Sequence, residues 1–118
     1  NPHVDRSAIE RFAHDRLRDA ALEPFCLGLY SGVVDHLSAI DERLAKAAEN
    51  WRLSRMAGVD RNLLRLGAFE LMFCPDTPPS VALDEAIELA RRFGSMDSPG
   101  FVNGILDRLR QDADPPPD

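Results

Sequence analysis

Apolar residues recur along most of the chain at spacings of three and four, the period that places them on one face of an α-helix. No run of alternating apolar and polar residues survives anywhere, so the sequence predicts an all-α fold with no strands. The predicted helices cover about residues 5–18, 21–37, 38–50, 61–73, 80–93 and 98–111.

Residue types that favour helix ends fix the predicted boundaries. Asp60, Ser80 and Ser98 are predicted N-caps, because their side-chain oxygens accept hydrogen bonds from the first helical N–H groups. Gly94 is predicted to end a helix in the left-handed conformation. Three prolines between residues 74 and 80 predict a loop, since proline interrupts a helix.

The segment 21–37 has an apolar arc too wide for a surface helix, which predicts a central helix packed on more than one side. Gly28 and Gly32 lie beside that arc and form a smooth strip that another helix can approach closely. A connection follows the third predicted helix, and we expect Trp51, Leu53 and Met56 to anchor it.

The final helix carries a polar residue and a poor helix former in its middle, Asn103 and Gly104. With Phe101 at 0° and about 100° per residue, the apolar stripe ends near 140°, whereas Asn103 falls near 200° and Gly104 near 300°. A helical glycine costs about 1 kcal/mol relative to alanine. Two interpretations remain open: a partner or nucleic acid docks on this face, or Gly104 permits a helix contact and Asn103 bonds a loop carbonyl.

Composition is that of an ordinary globular domain of 118 residues, 44% hydrophobic and 29% charged. We assign residues 1–111 to one helical domain and residues 112–118 to a flexible, proline-rich tail. The sequence shows neither a membrane span nor a secretory signal, which places the chain in the cytoplasm. The net charge of −6 argues against a chain that holds nucleic acid alone and favours a basic partner.

Candidate chemistry is sparse. Cys26 and Cys74 are expected to be reduced structural thiols, with a disulfide as the alternative. The three histidines have no partner at metal-ligand spacing, so we expect no metal site and no cofactor. Acidic residues between 84 and 88 lie on the polar side of an amphipathic helix and predict a solvated face rather than general acid/base catalysis.

Three segments carry a specific family resemblance: "LRLGAFEL", "PPSVALDEAIELARRFG" and "DSPGFVNGILD". Over residues 60–109 the chain resembles the NusB family of bacterial transcription antitermination factors, and looser similarity extends upstream to Asp5. The resemblance implies a helical, non-enzymatic adaptor. Family members pair with NusE, a ribosomal small-subunit protein, bind boxA-type RNA of ribosomal RNA leaders, and join the RNA polymerase antitermination complex.

The resemblance also implies site residues. RNA-binding residues would be Asp97, Phe101 and Asn103, which match the family's final-helix motif, with phosphate contacts from two arginines. Phe101 would stack on an unpaired base and Asn103 would bond a base edge or phosphate. The arginines are Arg91 and Arg92, and the residues assigned to the NusE-facing side are Asp60 and Glu70.

One departure is the family's arginine-rich N-terminal helix, which is absent from this sequence through either a shortened chain or a natural loss. We expect its absence to weaken RNA binding and to expose a groove on the second helix, with the Gly28/Gly32 strip as the candidate. An exposed apolar groove favours self-association, so a homodimer is a further expectation.

Two alternatives remain. Some ribosomal RNA cytosine methyltransferases carry a NusB-like N-terminal domain, for which the proline-rich end at Asp118 would be a linker. The other alternative is a helical interaction protein without RNA binding.

Overall fold

The computed structural model describes the backbone of residues 31–113 and the side chains of residues 31–112. Residues 31–35 are helical, and a turn at His36 separates them from four longer helices. These are α1 (Leu37–Ala48), α2 (Gly58–Phe73), α3 (Pro79–Phe93) and α4 (Ser98–Ala113), with a short 3-10 helix at Leu53–Arg55 between α1 and α2. The all-α prediction is confirmed for this part of the chain. The helix predicted over 5–18 and the homodimer groove at Gly28 lie outside the described residues, as do Cys26, His3 and His14.

The core lies where the four helices meet, and α4 packs against each of the other three. Its innermost side chains come from every helix, because each contributes one apolar stripe. Helix α3 contributes the small Ala82 and Ala90, and the fully buried large side chains of the other three helices are Ile40, Leu44, Leu64, Val102, Leu106 and Leu109.

Glycines on two elements allow close packing. A Cβ on Gly67 would lie 2.5 Å from Leu106 Cδ1 of α4, and a Cβ on Gly32 would overlap the Phe69 ring. The close approach of another helix predicted at Gly32 is therefore confirmed, because the Phe69 ring of α2 occupies the space beside it; the remainder of the predicted strip, Gly28, lies outside the described residues. Gly32 is not part of an exposed groove, so that expectation is wrong at this position.

Several predicted helix ends differ from the structure. Asp60 and Ser80 are not N-caps, because α2 begins two residues before Asp60 and α3 begins at Pro79. Proline suits that first position since its missing N–H has no helical acceptor. Ser98 is the first residue of α4 rather than its cap, and its hydroxyl accepts a hydrogen bond of 2.9 Å from the Ser95 N–H.

Gly94 ends α3 as predicted, but the predicted left-handed conformation is wrong. Its backbone is extended, with φ −95° and ψ −171°, and its N–H donates to the Ala90 carbonyl at 2.9 Å. Glycine is favoured here by space: an added Cβ would lie 2.5 Å from Cβ of the buried Ser98.

The C-terminal boundary also moves. Helix α4 continues to Ala113, two residues beyond the predicted domain end at residue 111. The remaining residues of the predicted tail, 114–118, lie outside the described part of the chain.

Replacing Gly67 by alanine is expected to destabilise the fold. The new methyl would displace the fully buried Leu106, and such overpacking typically costs 1–3 kcal/mol, against a helix-propensity gain of about 1 kcal/mol. The matched control is Gly104→Ala on α4, where a Cβ meets nothing within 4 Å in the described residues. We expect the control to raise the free energy of unfolding by up to about 1 kcal/mol. Urea denaturation of both variants measures the difference, and equal shifts would contradict the packing assignment.

Candidate nucleic-acid interface

Helix α4 has an apolar inner face and a polar outer face, as the helical spacing predicts. Val102, Ile105, Leu106 and Leu109 are buried. The outer face, defined here as Gly100, Asn103, Gly104, Asp107 and Arg108, is exposed except for the half-buried Asp107. The predicted orientation of Asn103 is therefore confirmed.

The structure gives no support to a purely structural role for Asn103 and Gly104. Asn103 is exposed, and within the described residues its amide has no hydrogen-bond partner. No helix among the described residues packs on Gly104, since a Cβ at this position would meet none of their atoms within 4 Å. The pair forms a small, side-chain-poor surface with an unpaired amide at its edge.

Phe101 lies at the border between the two faces and is half-buried. Its ring meets the Trp51 indole edge-on, with ring centroids 5.3 Å apart and an interplanar angle of 85°. This geometry is typical of attractive aromatic pairs. Trp51 is 60% exposed, so the prediction that it anchors its connection is wrong. Leu53 and Met56 do pack against the core.

Trp51 is an aromatic surface residue that the sequence analysis did not assign to the site. The signal for it was weak: a tryptophan beside an arginine in an irregular segment is more often part of a core. Only the tertiary contact with Phe101 connects it to α4.

Asp97 lies immediately before α4 and is exposed. Its carbonyl accepts the first hydrogen bond of the helix, from the Phe101 N–H at 3.1 Å. Asp97 therefore stands one turn before Phe101, and its carboxylate is accessible at the N-terminal end of α4.

Arg91 and Arg92 lie in the last turn of α3 and are exposed. Both contact Glu88, through Nη1 of Arg91 and Nε of Arg92, each at 3.3 Å. The Glu88–Arg92 pair has the i,i+4 spacing that is favourable on a helix surface. Exposed pairs of this kind contribute little to stability, and they leave the guanidinium groups accessible to another anion.

Asp60 lies in the first turn of α2, where an acidic side chain interacts favourably with the helix dipole. Its Oδ1 atom is buried and has no hydrogen-bond partner in the described structure. Glu70 lies ten residues further on the same helix, about 15 Å along its axis. The structure therefore does not bring the two residues of the predicted partner surface into one cluster.

Glu70 is buried, with 6% of the residue exposed. Burial, the charge of Glu85 on α3 and a hydrogen bond with that carboxyl raise the pKa of Glu70 to about 7. Cys74 is a free thiol, as expected, and burial together with the charges of Glu70 and Asp76 raises its pKa. A raised pKa suppresses the reactive thiolate, which is typical of structural cysteines.

Within residues 31–112, no group of three or more His, Cys, Asp or Glu side chains has a metal-binding arrangement. No helix in the described part of the chain is both long and apolar enough to cross a bilayer.

The fold and the site together define the class of protein: an all-helical domain whose last helix packs an apolar face in the core and exposes a polar face to solvent. The family model described as the NusB family matches residues 2–111. The chain belongs to the NusB family.

Curated relatives agree with this assignment. The chain is 60% identical over 80 residues to the transcription antitermination protein NusB of Sorangium cellulosum, covering 68% of this chain and 57% of that protein. It is 46% identical over 104 residues to the protein of the same name from Desulfitobacterium hafniense, covering 88% of this chain and 70% of the relative. A solved structure of T. maritima NusB matches with a TM-score of 0.72 and 36% identity, covering 90% of this chain and 87% of that one.

The chain spans less than two thirds of the length of some curated relatives, 57% for the Sorangium protein and 59% for that of Geotalea uraniireducens.

Proposed function

We propose that this chain is an RNA-binding adaptor in transcription antitermination, not an enzyme, and that it acts in the cytoplasm. In this proposal it pairs with NusE and binds boxA-type RNA of ribosomal RNA leaders within the RNA polymerase antitermination complex. Its relatives carry the name transcription antitermination protein, which supports the biological process. The observation that carries the molecular role is the exposed amide of Asn103 beside the open surface at Gly104.

The chemistry of that surface suits single-stranded RNA. An amide offers both a donor and an acceptor to a base edge, and the accessible part of the Phe101 ring offers a stacking platform. Gly100 and Gly104 lack side chains that would hold a backbone away. Arg91 and Arg92 add cationic groups for phosphates, while Asp97 accepts hydrogen bonds from a base or ribose.

A basic partner complements the charge of this chain. The net charge of −6 opposes unassisted binding of a polyanion, and a basic ribosomal protein would supply the missing positive potential. Asp60 is the proposed acidic contact to NusE, because the residue is only half-buried at the start of α2. Glu70, buried against Glu85, is proposed to contribute at the margin of that surface.

The test is a fluorescence-anisotropy titration of labelled boxA-type RNA with the chain and NusE. Asn103→Ala is expected to weaken RNA binding about tenfold, the effect of losing one bidentate base contact worth 1–3 kcal/mol. Phe101→Leu keeps an apolar side chain and removes stacking, which is also worth 1–3 kcal/mol.

Gln111→Ala provides the matched control, because it removes another exposed amide from the same helix. That amide already donates to Asp107 Oδ2 at 3.1 Å, and we expect no change in affinity. Failure of the unsubstituted chain to bind the RNA with NusE would refute the proposed function. Equal affinities for Asn103→Ala and Gln111→Ala would refute the placement of the site.

A further inference from the structure

An open cavity of about 450 Å³ lies beside Trp51, between α1, the 3-10 helix and α2. We call it the tryptophan pocket and define it by Trp51, Arg52, Arg61 and Arg65 with Asp41 and Glu49. Its volume falls within the range of small-ligand sites. None of these residues belongs to the surface assigned above.

The tryptophan pocket is locally cationic although the whole chain is acidic. Arg65 is neutralised by Asp41, which accepts hydrogen bonds of 2.9 Å from Nε and 2.8 Å from Nη2. Glu49 lies 3.5 Å from Arg108 Nη1, and the same nitrogen donates to the Ala47 carbonyl at 2.9 Å. Both carboxylates therefore already have cationic partners.

Two guanidinium groups remain without a carboxylate partner among the described residues. Arg52 is exposed at the rim. Arg61 donates from Nη1 to the Leu53 carbonyl at 3.2 Å, and its buried Nε has no hydrogen-bond partner. Guanidinium groups favour planar or tetrahedral oxyanions such as carboxylate and phosphate.

The pocket also has an aromatic wall that continues the proposed RNA surface. The Trp51 ring lies next to the Phe101 ring, with 5.3 Å between their centroids, and more than half of Trp51 is exposed. An exposed indole beside uncompensated arginines combines base stacking with phosphate binding, the two contacts by which proteins hold single-stranded nucleic acid.

We propose that the tryptophan pocket binds one nucleotide of the RNA, with its base on Trp51 and its phosphate at Arg52 and Arg61. The strand then passes from Phe101 over Trp51 towards α1. This proposal rests on the proposed function for the identity of its ligand. It assigns a role to the segment between α1 and α2 and lengthens the RNA path by one nucleotide. An acidic peptide is the competing occupant, but it would make no use of the continuity with Phe101.

The experiment compares Arg52→Ala with Arg55→Ala in the anisotropy titration with NusE and boxA-type RNA. Arg52 and Arg55 are both exposed; Arg52 immediately precedes the 3-10 helix and Arg55 is its last residue, but only Arg52 lines the pocket. We expect Arg52→Ala to weaken RNA binding three- to tenfold. We also expect it to lower the slope of log affinity against log salt concentration by about 0.7, the value for one single-strand phosphate. Arg55→Ala should change neither quantity.

A second readout is the emission of Trp51, the only tryptophan of the chain. Titrating the natural chain and a Trp51→Phe variant in parallel, and subtracting, isolates this emission even if NusE contains tryptophan. Saturable quenching over the concentrations at which RNA binds is the expected result. The same titration with a glutamate-rich peptide tests the competing occupant.

The outcomes separate the two proposals. RNA binding with equal affinities for Arg52→Ala and Arg55→Ala overturns the pocket assignment and leaves the proposed function standing. Quenching by the acidic peptide but not by RNA also overturns it. Absence of any RNA binding by the natural chain with NusE removes both proposals.

Discussion

Replacing Asp41 by alanine is expected to lower the free energy of unfolding by about 3 kcal/mol. The substitution strands the guanidinium of Arg65, whose side chain is only 4% exposed, without its bidentate carboxylate partner. Removing one member of a buried ion pair typically costs 3–5 kcal/mol. The lower end applies because the Asp41 side chain is 25% exposed and water reaches the site.

Two further variants test this explanation by urea denaturation. Glu42→Ala removes an exposed carboxylate from the same helix and should change stability by less than about 0.5 kcal/mol. Arg65→Met combined with Asp41→Ala removes both charges and should recover most of the loss. If the double variant is as unstable as Asp41→Ala alone, the unpaired charge is not the cause.

The carboxyl of Glu70 is expected to make stability fall as the pH rises from about 4.5 to about 7. Its pKa is about 7 in the folded protein, against an ordinary value of 4.5, so between these values the folded state holds a proton that the unfolded chain has lost. The contribution is complete below pH 4.5, decreases through this window and is constant above it. A difference of 2.5 pKa units corresponds to at most about 3 kcal/mol.

Glu70→Gln should remove this dependence, because an amide does not ionise and still donates a hydrogen bond to Glu85. We expect the variant to match the natural chain near pH 4.5 and to exceed its stability at pH 8. Denaturation at pH 4.5, 6 and 8 measures the difference between the two proteins, which cancels the titration of other groups. Glu88→Gln, an exposed carboxylate on α3, is the control. A constant difference across the three pH values would contradict the raised pKa.

The interior of α4 could be predicted from sequence because a single repeat distance determines which side chains face inward. Once the apolar stripe was located, the outward positions of Asn103 and Gly104 followed without knowledge of any other helix. The Glu88–Arg92 pair on α3 also follows from local spacing, because its two residues lie four positions apart on one helix.

Features that depend on contacts between distant segments could not be predicted. The Arg65–Asp41 pair joins residues 24 positions apart, and the Glu70–Glu85 pair joins different helices. The helical wheel placed Glu85 correctly on a polar face, but it carried no information that α2 lies against the edge of that face. Trp51 was misassigned for the same reason, because no repeat constrains an irregular connection.

The starts of α2 and α3 were predicted wrongly for a different reason. Asp60 and Ser80 are good N-caps by residue type, yet extended Ala57 and Pro78 precede the helices and allow them to begin earlier. Cap preferences amount to about 1 kcal/mol. In α2 the earlier start is accompanied by packing of Val59 against the core, and in α3 Pro79 suits the first helical position.

Because α4 packs against all three other helices, its solvent-facing residues are preorganised. A ligand that meets Asn103 and Gly104 finds backbone already immobilised when the chain folded, so association incurs no further loss of main-chain conformational entropy. A bound ligand would in turn raise the free energy of unfolding of the whole domain, because α4 cannot separate from the other helices without exposing the core.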